Sequence, residues 1–361
     1  MSGRHSVEAK GGIATFAFAS FDETVDCTAV IVTYNSAADI TGLLDTLPAA
    51  AAGLRVRVVV VDNDSADDIA QVISRYPGVM LIPAGGNLGY AGGINVGRRN
   101  LGDTRSVLIL NPDLQLAPGS LRRLADALGE PGGGAAVPRF LDEHSNRFPS
   151  LRREPTVLRA LGDALLGKRW PDRPAWLSEM VWGAQPYQRA GTVDWATGAV
   201  MMISTEADGA IGDWDDDRFF LYSEETDYCR RLRDAGYAIR YVPDATVRHE
   251  GGGSGTGADL YALNSVNRVR YYAKYHSAAT TALFRLVVVL HEALRATRPA
   301  SRRALRALLW RRNWASLPGP RPASPPAPVA PAPAGTSART GKPPAETRHS
   351  TIPPQPEAPV D

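Results

Sequence analysis

The chain has 361 residues, enough to bury one large core or one core with an additional tail. Hydrophobic residues make up 44% and charged residues 22%, the balance of an ordinary soluble protein. The formal net charge of +2 argues against a protein that binds nucleic acid through its overall charge.

Cysteine content and the N-terminus indicate a cellular compartment. Cys27 and Cys229 are too few for a disulfide framework or a zinc site, which is typical of a reducing cytoplasm. The segment Met1–Lys10 is polar, so it lacks the apolar core of a signal peptide. No apolar stretch reaches the roughly 20 residues that span a bilayer. We therefore expect a cytoplasmic protein.

Short apolar runs rich in valine and isoleucine occupy the first third of the chain. They are Ala29–Val32, Val56–Val61, Val79–Ile82 and Val107–Leu110. The spacing of about 20 to 30 residues leaves room for crossover helices, with Ile40–Leu47 and Ile69–Ile73 as candidates. Continuous apolar runs are typical of strands that are buried on both faces. The pattern predicts an α/β fold with a doubly wound, mostly parallel sheet.

The middle of the chain has a weaker pattern. Arg, Trp and Pro are frequent between Leu141 and Arg189, which we interpret as irregular or helical surface covering the active side. The segment Asp194–Ile203 returns to a strand-like composition, and Tyr237–Val242 is predicted to be a last strand.

The C-terminal part changes character twice. Residues 277–316 form a basic, apolar segment that predicts an amphipathic helical region. Either it lies in a membrane interface, or it packs on the domain with a solvated Arg face. Residues 317–361 are rich in Pro and Ala and are predicted to be disordered. Residues 1–26 would then be an N-terminal extension and 27–276 the folded domain.

Polar groups follow the predicted strands. Asp62 and Asp113 stand at the ends where a doubly wound sheet binds its ligands. The run from Asp62 to Ser65 can also serve simply as a turn and helix cap. The glycine-rich segment Gly85–Gly97 can be a flexible turn or a loop that presents backbone N–H groups to an anion.

An acidic cluster follows the aromatic run Phe219–Tyr222. It consists of Glu224, Glu225 and Asp227 at the start of a segment with helical spacing. Such carboxylates can be ordinary partners of a helix N-terminus. Alternatively, one of them is a general base whose apolar surroundings raise its pKa. Like-charge repulsion would raise the pKa of at least one of the three.

The ordered motifs of the chain resemble those of the family 2 glycosyltransferases, in particular the bacterial rhamnosyltransferase-like branch. The resemblance runs from about Thr28 to about His276. It implies a GT-A-type fold with a C-terminal helical segment and a disordered tail. It rests on six motifs, among them those that contain Thr33-Tyr34-Asn35, Asp62, Asn87-Leu88-Gly89 together with Asn95, Asn111-Pro112-Asp113, and Glu224-Glu225.

The resemblance implies roles for individual residues. Nucleotide-sugar binding falls to Thr33, Tyr34, Asn35, Asp62, Asn87, Gly89, Asn95, Asn111 and Asp113. Asp113 and His249 would hold Mg²⁺ or Mn²⁺, although Asn111 replaces the first acid of the family motif. Glu225 would be the catalytic base, with Glu224 and Asp227 as alternatives. Trp195, Thr197 and Gly198 would lie on the side of the acceptor and sugar.

The implied function is an inverting sugar transfer. The expected donor is dTDP-rhamnose, and the expected acceptor is a hydroxyl of a cell-wall or surface-polysaccharide glycan. This glycan can be lipid-linked, in which case the protein would contact the membrane peripherally. The alternatives are another UDP-sugar as donor, or an inactive glycan-binding module. A nucleotidyltransferase is disfavoured, because Thr33-Tyr34-Asn35-Ser36 contains none of the basic residues that such enzymes place after the first strand.

Overall fold

The computed structural model describes residues 18–167, 169–249 and 257–322. Its strands are β1 (Cys27–Thr33), β2 (Val56–Asp62), β3 (Val79–Pro83), β4 (Gly86–Asn87), β5 (Ser106–Leu110), β6 (Leu114–Leu116), β7 (Gly133–Leu141), β8 (Leu151–Arg152), β9 (Gly191–Thr192), β10 (Trp195–Ala196), β11 (Val200–Ser204), β12 (Ala238–His249) and β13 (Arg321–Pro322). Its α-helices are α1 (Ile40–Ala51), α2 (Ile69–Ile73), α3 (Gly89–Arg98), α4 (Ser120–Leu128), α5 (Val157–Leu166), α6 (Thr205–Ile211), α7 (Glu224–Asp234), α8 (Ala258–Tyr275), α9 (Ala278–Ala293) and α10 (Pro299–Leu309).

The central sheet has the order β3-β2-β1-β5-β11-β7-β12-β6, with β9 added to β12. Strands β1, β2, β3 and β5 pair in parallel, and so do β7 and β12. Strand β11 runs antiparallel between β5 and β7. The predicted α/β class with a mostly parallel sheet is therefore confirmed, and the four predicted apolar runs are its strands β1, β2, β3 and β5.

Both faces of the sheet are buried, as the continuous apolar runs predict. In β1, Ala29 and Ile31 belong to one hydrophobic core, whereas Val30 and Val32 belong to a second core on the other face. Successive side chains of a strand point to opposite faces, so one run of apolar residues supplies both cores. This burial on both faces is what an interior strand such as β1, between β2 and β5, requires.

The glycine-rich segment differs from the expected loop, because most of it forms helix α3. A Cβ on Gly93 would lie 2.5 Å from a methyl carbon of Val32, and one on Gly97 would lie 2.3 Å from a methyl carbon of Val30. The two glycines therefore let the helix approach β1 more closely than any side chain would allow. Packing against the strand explains their presence here.

Helices α8, α9 and α10 form a layer with its own core, which includes Phe284, Val288 and Leu308. Helix α10 packs inward through Ala304, Ala307 and Leu308. Of the two predictions for this segment, α10 therefore follows the second, a helix that packs on the domain. Within the described ranges, no helix is both long enough and apolar enough to cross a bilayer.

The last described residues return to the sheet side of the molecule. Strand β13 pairs with β4 through Arg321 with Asn87 and Pro322 with Gly86. The predicted disordered tail lies, from residue 323 onward, outside the described residues.

Candidate active site

A cavity of about 520 Å³ lies at the carboxyl ends of β1, β2 and β5. These strands are parallel, so their ends meet at one edge of the sheet, which is where such sheets bind ligands. The predicted residues that line the cavity are Tyr34, Asn35, Asn87, Gly89, Asn111 and Asp113. They come from three separate motifs, which the fold brings together.

Three other residues predicted to bind the nucleotide-sugar do not line this cavity. Thr33 is buried and donates a hydrogen bond to the Val61 carbonyl at 3.2 Å. Asn95 is buried and exchanges two hydrogen bonds of 2.9 Å with the backbone of Trp214. Asp62 accepts a hydrogen bond of 3.0 Å from the backbone N–H of Ser65, as in the turn-capping alternative.

The cavity also contains residues outside the predicted set. Asn63 donates to the Asn87 side chain at 3.2 Å and to the Gly89 carbonyl at 3.0 Å, which holds the start of α3 in place. Because Asn63 directly follows Asp62 at the end of β2, its position in the sequence already indicated that it lies near the cavity. Leu260, Pro318 and Gly319 line the cavity from the C-terminal part of the chain, and no local sequence signal indicates this.

Asp113 and His249 lie side by side. The His249 Nε2 atom is 3.1 Å from Asp113 Oδ2 and 3.2 Å from Oδ1. The contact arises because β6 and β12 are antiparallel, with Leu114 opposite His249. Burial would raise the pKa of Asp113, but the hydrogen bond and charge of His249, together with hydrogen bonds from a backbone N–H and from Asn111, leave this pKa below its ordinary value.

This pair fits a hard divalent cation with few protein ligands. Mg²⁺ takes ligands at about 2.0–2.1 Å in an octahedron, so neighbouring ligand atoms are about 3 Å apart, similar to the spacing of His249 Nε2 and Asp113 Oδ2. Asn111 adds a neutral side chain that hydrogen-bonds Asp113. No group of three or more acidic, His or Cys side chains suited to a metal occurs in the part of the chain that the structure describes. Water or ligand oxygens would have to complete the shell.

The acidic cluster begins α7 after an unusual turn. Tyr222 and Ser223 have φ of 71° and 73°, the left-handed region that costs non-glycine residues roughly 1–3 kcal/mol each. The buried amide of Asn267 donates to the carbonyls of Leu221 and Tyr222 at 2.9 and 3.1 Å. Helix α8 thus holds the turn that directs Glu224 and Glu225.

Glu224 and Glu225 differ in their surroundings. Glu224 is buried, and burial together with the charge of Glu225 raises its pKa well above the ordinary value. Glu225 is half-buried, and burial raises its pKa too, while backbone N–H groups and the charge of Arg152 oppose the rise. Each carboxyl keeps one oxygen without a hydrogen-bond partner among the described residues. Glu225 is the more accessible and the more readily ionised of the two.

Asp227 has a structural environment. Its carboxylate accepts hydrogen bonds from Lys274 Nζ at 2.5 Å, from the Tyr275 hydroxyl at 2.7 Å and from Arg231 Nε at 2.9 Å. It is fully buried, and these partners fasten α7 to α8. Of the three acids, Asp227 is therefore the least suited to proton transfer.

Tyr90 connects the cavity to the two glutamates. Burial, followed by the charges of Glu224, Glu225 and Asp113, raises its pKa well above the ordinary value, so it lies within the field of all three acids. Its hydroxyl donates to the Gly198 carbonyl at 3.1 Å.

The predicted acceptor side adjoins Glu225. A Cβ on Gly198 would lie 3.1 Å from the Cβ of Glu225, so glycine allows this close approach. Trp195 is buried and donates through its indole N–H to the Arg153 carbonyl at 3.0 Å, and its ring lies 5.7 Å from the Arg152 guanidinium. Thr197 is half-buried and its backbone N–H donates to the Ser150 carbonyl at 3.1 Å.

Comparison with known proteins points to one family. Residues 28–178 match the model of glycosyl transferase family 2. The chain is 35% identical over 216 residues to the N-acetylglucosaminyl-diphospho-decaprenol L-rhamnosyltransferase of Mycobacterium tuberculosis, covering 56% of this chain and 69% of that one. It is 33% identical over 216 residues to the low-salt glycan biosynthesis hexosyltransferase Agl10 of Haloferax volcanii, covering 58% and 62%.

Solved structures that superpose on this chain are more distant from it in sequence. One is the mannosyltransferase PcManGT of Pyrobaculum calidifontis in complex with GDP-Man and Mn²⁺, at 16% identity and a TM-score of 0.48, covering 83% of this chain and 86% of that one. Another is S. aureus TarS in complex with UDP-GlcNAc, at 16% identity and a TM-score of 0.45, covering 74% and 73%.

The raised pKa of Glu224 predicts a pH-dependent effect of Glu224→Gln on stability. A carboxyl whose pKa is higher in the folded protein favours folding at low pH, and this contribution is lost as the pH rises through the folded pKa. Glu224→Gln should therefore raise the melting temperature, relative to the unchanged protein, more at pH 8 than at pH 5. Glu143→Gln, at a carboxyl that is 70% exposed, is the control. An equal effect of Glu224→Gln at both pH values would contradict the desolvation of this carboxyl.

Proposed function

The chain belongs to glycosyl transferase family 2, in its rhamnosyltransferase-like branch, and we propose that it transfers rhamnose from dTDP-rhamnose to a hydroxyl of a cell-wall or surface-polysaccharide precursor. The observation that carries the proposal is that Asp113 and Tyr90 line the same cavity, and that the charge of Glu225, which does not line it, acts on Tyr90. A nucleotide-sugar needs both regions, because its diphosphate and its anomeric carbon sit a few bonds apart.

The donor diphosphate would face Asp113 and His249. With Mg²⁺ or Mn²⁺ bound between them, the cation would neutralise charge that develops on the leaving phosphate. Tyr34 and Asn35 offer hydrogen-bonding groups for the nucleoside at the end of β1, while Asn63 at the end of β2 positions Asn87. Asp62 stands next to Asn63, in the position for which the family resemblance implies a contact with the base or ribose.

Glu225 would act as the general base. Its carboxylate takes the proton of the acceptor hydroxyl while the hydroxyl oxygen bonds to the anomeric carbon and the bond to the diphosphate breaks. The attack comes from the face opposite the diphosphate, so one displacement inverts the anomeric configuration. Arg152 supports this role because its charge favours the ionised form of Glu225. Glu224, whose pKa is raised by burial and by the charge of Glu225, would be the less readily ionised neighbour.

The acceptor is proposed to be lipid-linked. The mycobacterial relative is named for an acceptor in which N-acetylglucosamine is joined through a diphosphate to decaprenol. A related acceptor here would place its hydroxyl against Glu225 from the side of Trp195, Thr197 and Gly198. The reaction would take place in the cytoplasm, at a membrane that carries such a lipid.

A second function of another class would be glycan binding without transfer. It lacks a supporting observation, whereas a half-buried carboxyl with a raised pKa supports catalysis. Hydrolysis of the donor by the purified protein would separate the two. Nucleotide-sugars other than dTDP-rhamnose, UDP-sugars included, belong in the same screen.

We predict that Glu225→Gln lowers kcat by about a hundredfold or more, because an amide cannot accept the proton. The variant should still bind dTDP, as measured by the rise in its melting temperature when dTDP is added. In the unchanged enzyme kcat/KM should fall as the pH drops through the raised pKa of Glu225. The matched substitution Glu224→Gln should keep most of the activity. Near-normal turnover in Glu225→Gln with loss in Glu224→Gln would assign the base to the other glutamate.

We also predict that binding of dTDP depends on a divalent cation held by Asp113 and His249. In the presence of Mn²⁺, dTDP at about 100 times its Kd should stabilise the fold by about 2.7 kcal/mol. Asp113→Ala or His249→Ala should remove most of the cation-dependent part of this stabilisation. Asp39→Ala, which removes another acid that lines the same cavity, is the control and should leave the cation-dependent stabilisation unchanged. Equal stabilisation with Mn²⁺ and with excess chelator would contradict the metal site.

A further inference from the structure

Helix α9 has an apolar face that no other described element covers. Leu283, Leu286, Leu290 and Leu294, the last at its C-cap, are 50%, 63%, 36% and 56% exposed. Their spacing of three to four residues places them on one side of the helix. The opposite side, with Phe284 and Val288, is buried in the core of the helical layer.

Exposed apolar side chains are concentrated in this region. Of the twelve large hydrophobic side chains that are exposed in the described part of the chain, ten lie on α5, on residues 170–176, on α9 with its cap, or at 309–310. Helix α5 adjoins α9, since Arg295 after α9 donates to the Ala164 carbonyl at 3.1 Å. Trp170, Trp176 and Trp310 are among the ten. A concentration of exposed apolar side chains of this kind indicates an interaction site, and tryptophan is enriched at membrane–water interfaces.

A basic cavity of about 800 Å³ lies beside this apolar face, between α8, α9 and the end of α10. Arg270, Arg285 and Arg311 line it, and none of them has a carboxylate partner among the described residues. Burial lowers the pKa of Arg270, and burial with the nearby charge of Arg311 lowers that of Arg285. Three guanidinium groups thus share a cavity without a compensating anion.

Other cations at the cavity are already paired. Lys274 contacts Asp215 at 2.7 Å and Asp227 at 2.5 Å, and Arg218 lies 3.5 Å from Asp215. The uncompensated charge is therefore confined to the three arginines. Arginine binds phosphate oxygens through two parallel N–H groups, so phosphate is the anion that such a cluster suits best.

The apolar face and the basic cavity are continuous, because Leu286 and Leu309, 63% and 51% exposed, also line the cavity. We propose that this surface docks the protein on a bilayer, with the leucines of α9 in the interface and the phosphate of an anionic phospholipid in the cavity. A ligand that joins a phosphate to hydrocarbon matches both parts at once. The proposal does not depend on the sugar that is transferred.

The charge of the remaining chain favours a membrane over the chain's own ends as the occupant. Residues 323–361 carry Arg339, Lys342 and Arg348 against Glu346, Glu357 and Asp361, so they are neutral overall and contain no aromatic residue. Residues 1–17 carry Arg4 and Lys10 against Glu8 and are net positive. Neither end offers the net negative charge that three guanidinium groups without a carboxylate partner require.

Vesicle sedimentation of the full chain tests the proposal. The protein should pellet with phosphatidylglycerol vesicles and at least tenfold less with phosphatidylcholine vesicles. Binding should weaken at an ionic strength of about 1 M, where the Debye length falls to about 3 Å. Donor and acceptor are absent from this assay, so its failure would leave the proposed transferase activity untouched.

Two variants separate the apolar from the electrostatic part. Leu283→Ser with Leu286→Ser and Leu290→Ser should reduce binding at least tenfold, without loss of thermal stability, because these side chains are exposed. Phe148→Ser, at an exposed aromatic outside the four segments named above, is its control. Arg285→Gln with Arg311→Gln should weaken binding to anionic vesicles by about fivefold for each charge removed. Arg105→Gln, at a side chain 76% exposed, is the matched control.

Three results would overturn the proposal. The first is sedimentation of the triple leucine variant equal to that of the unchanged protein. The second is thermal stabilisation by inorganic phosphate in a protein that does not pellet, which would identify a soluble phosphate ligand. The third is a dimer that the leucine substitutions convert to a monomer, which would assign the apolar face to a second copy of the chain.

Discussion

The site depends on two neighbouring carboxyl groups, Glu224 and Glu225, that the fold holds where little water reaches them. Burial and mutual repulsion raise the pKa of Glu224, and burial raises that of Glu225. Such an arrangement destabilises the protein at neutral pH unless other contacts offset it. Asn267 on α8 donates hydrogen bonds to the carbonyls of Leu221 and Tyr222, and these contacts hold the strained turn at Tyr222 and Ser223 in front of the two glutamates. The consequence is a pair of carboxyl groups with raised pKa, which is the property that the proposed general base requires.

Much of this fold can be predicted from the sequence because its central strands are buried on both faces. Runs such as Val56–Val61 carry a signal that no surface strand would give. Once the parallel topology is predicted, the acidic residues that follow these strands are expected at one edge of the sheet. The glycine-rich segment is different, since glycine is unfavourable inside a helix. Helix α3 forms there because Gly93 and Gly97 allow it to contact β1, and local sequence does not contain that tertiary reason.

Contacts between distant segments are the part that sequence reasoning could not supply. His249 reaches Asp113 only because β12 pairs with β6, and the family resemblance, not the pattern, suggested the pair. Pro318 closes the cavity from a segment whose composition predicts disorder. The uncovered face of α9 likewise cannot be predicted from the sequence, because the inner and outer sides of this helix are both apolar and only packing distinguishes them.

The two cavities lie on either side of one short segment. Arg218 lines the basic cavity, whereas Phe220 and Leu221 line the cavity at the strand ends. Helix α8 borders both, through Leu260 at one end and Arg270 at the other. A protein docked through α9 would therefore hold its transfer site close to the membrane that carries a lipid-linked acceptor. Docking and catalysis would share α8 as a common rigid support.

The central claim is that Glu225 deprotonates an acceptor that displaces the nucleoside diphosphate directly. The most direct measurement compares the anomeric configuration of the transferred sugar in the donor and in the product by NMR spectroscopy. A single displacement predicts that the configuration is inverted in every product molecule. A product with the donor's configuration would require either a covalent intermediate or attack from the diphosphate side, and would contradict the role assigned to Glu225.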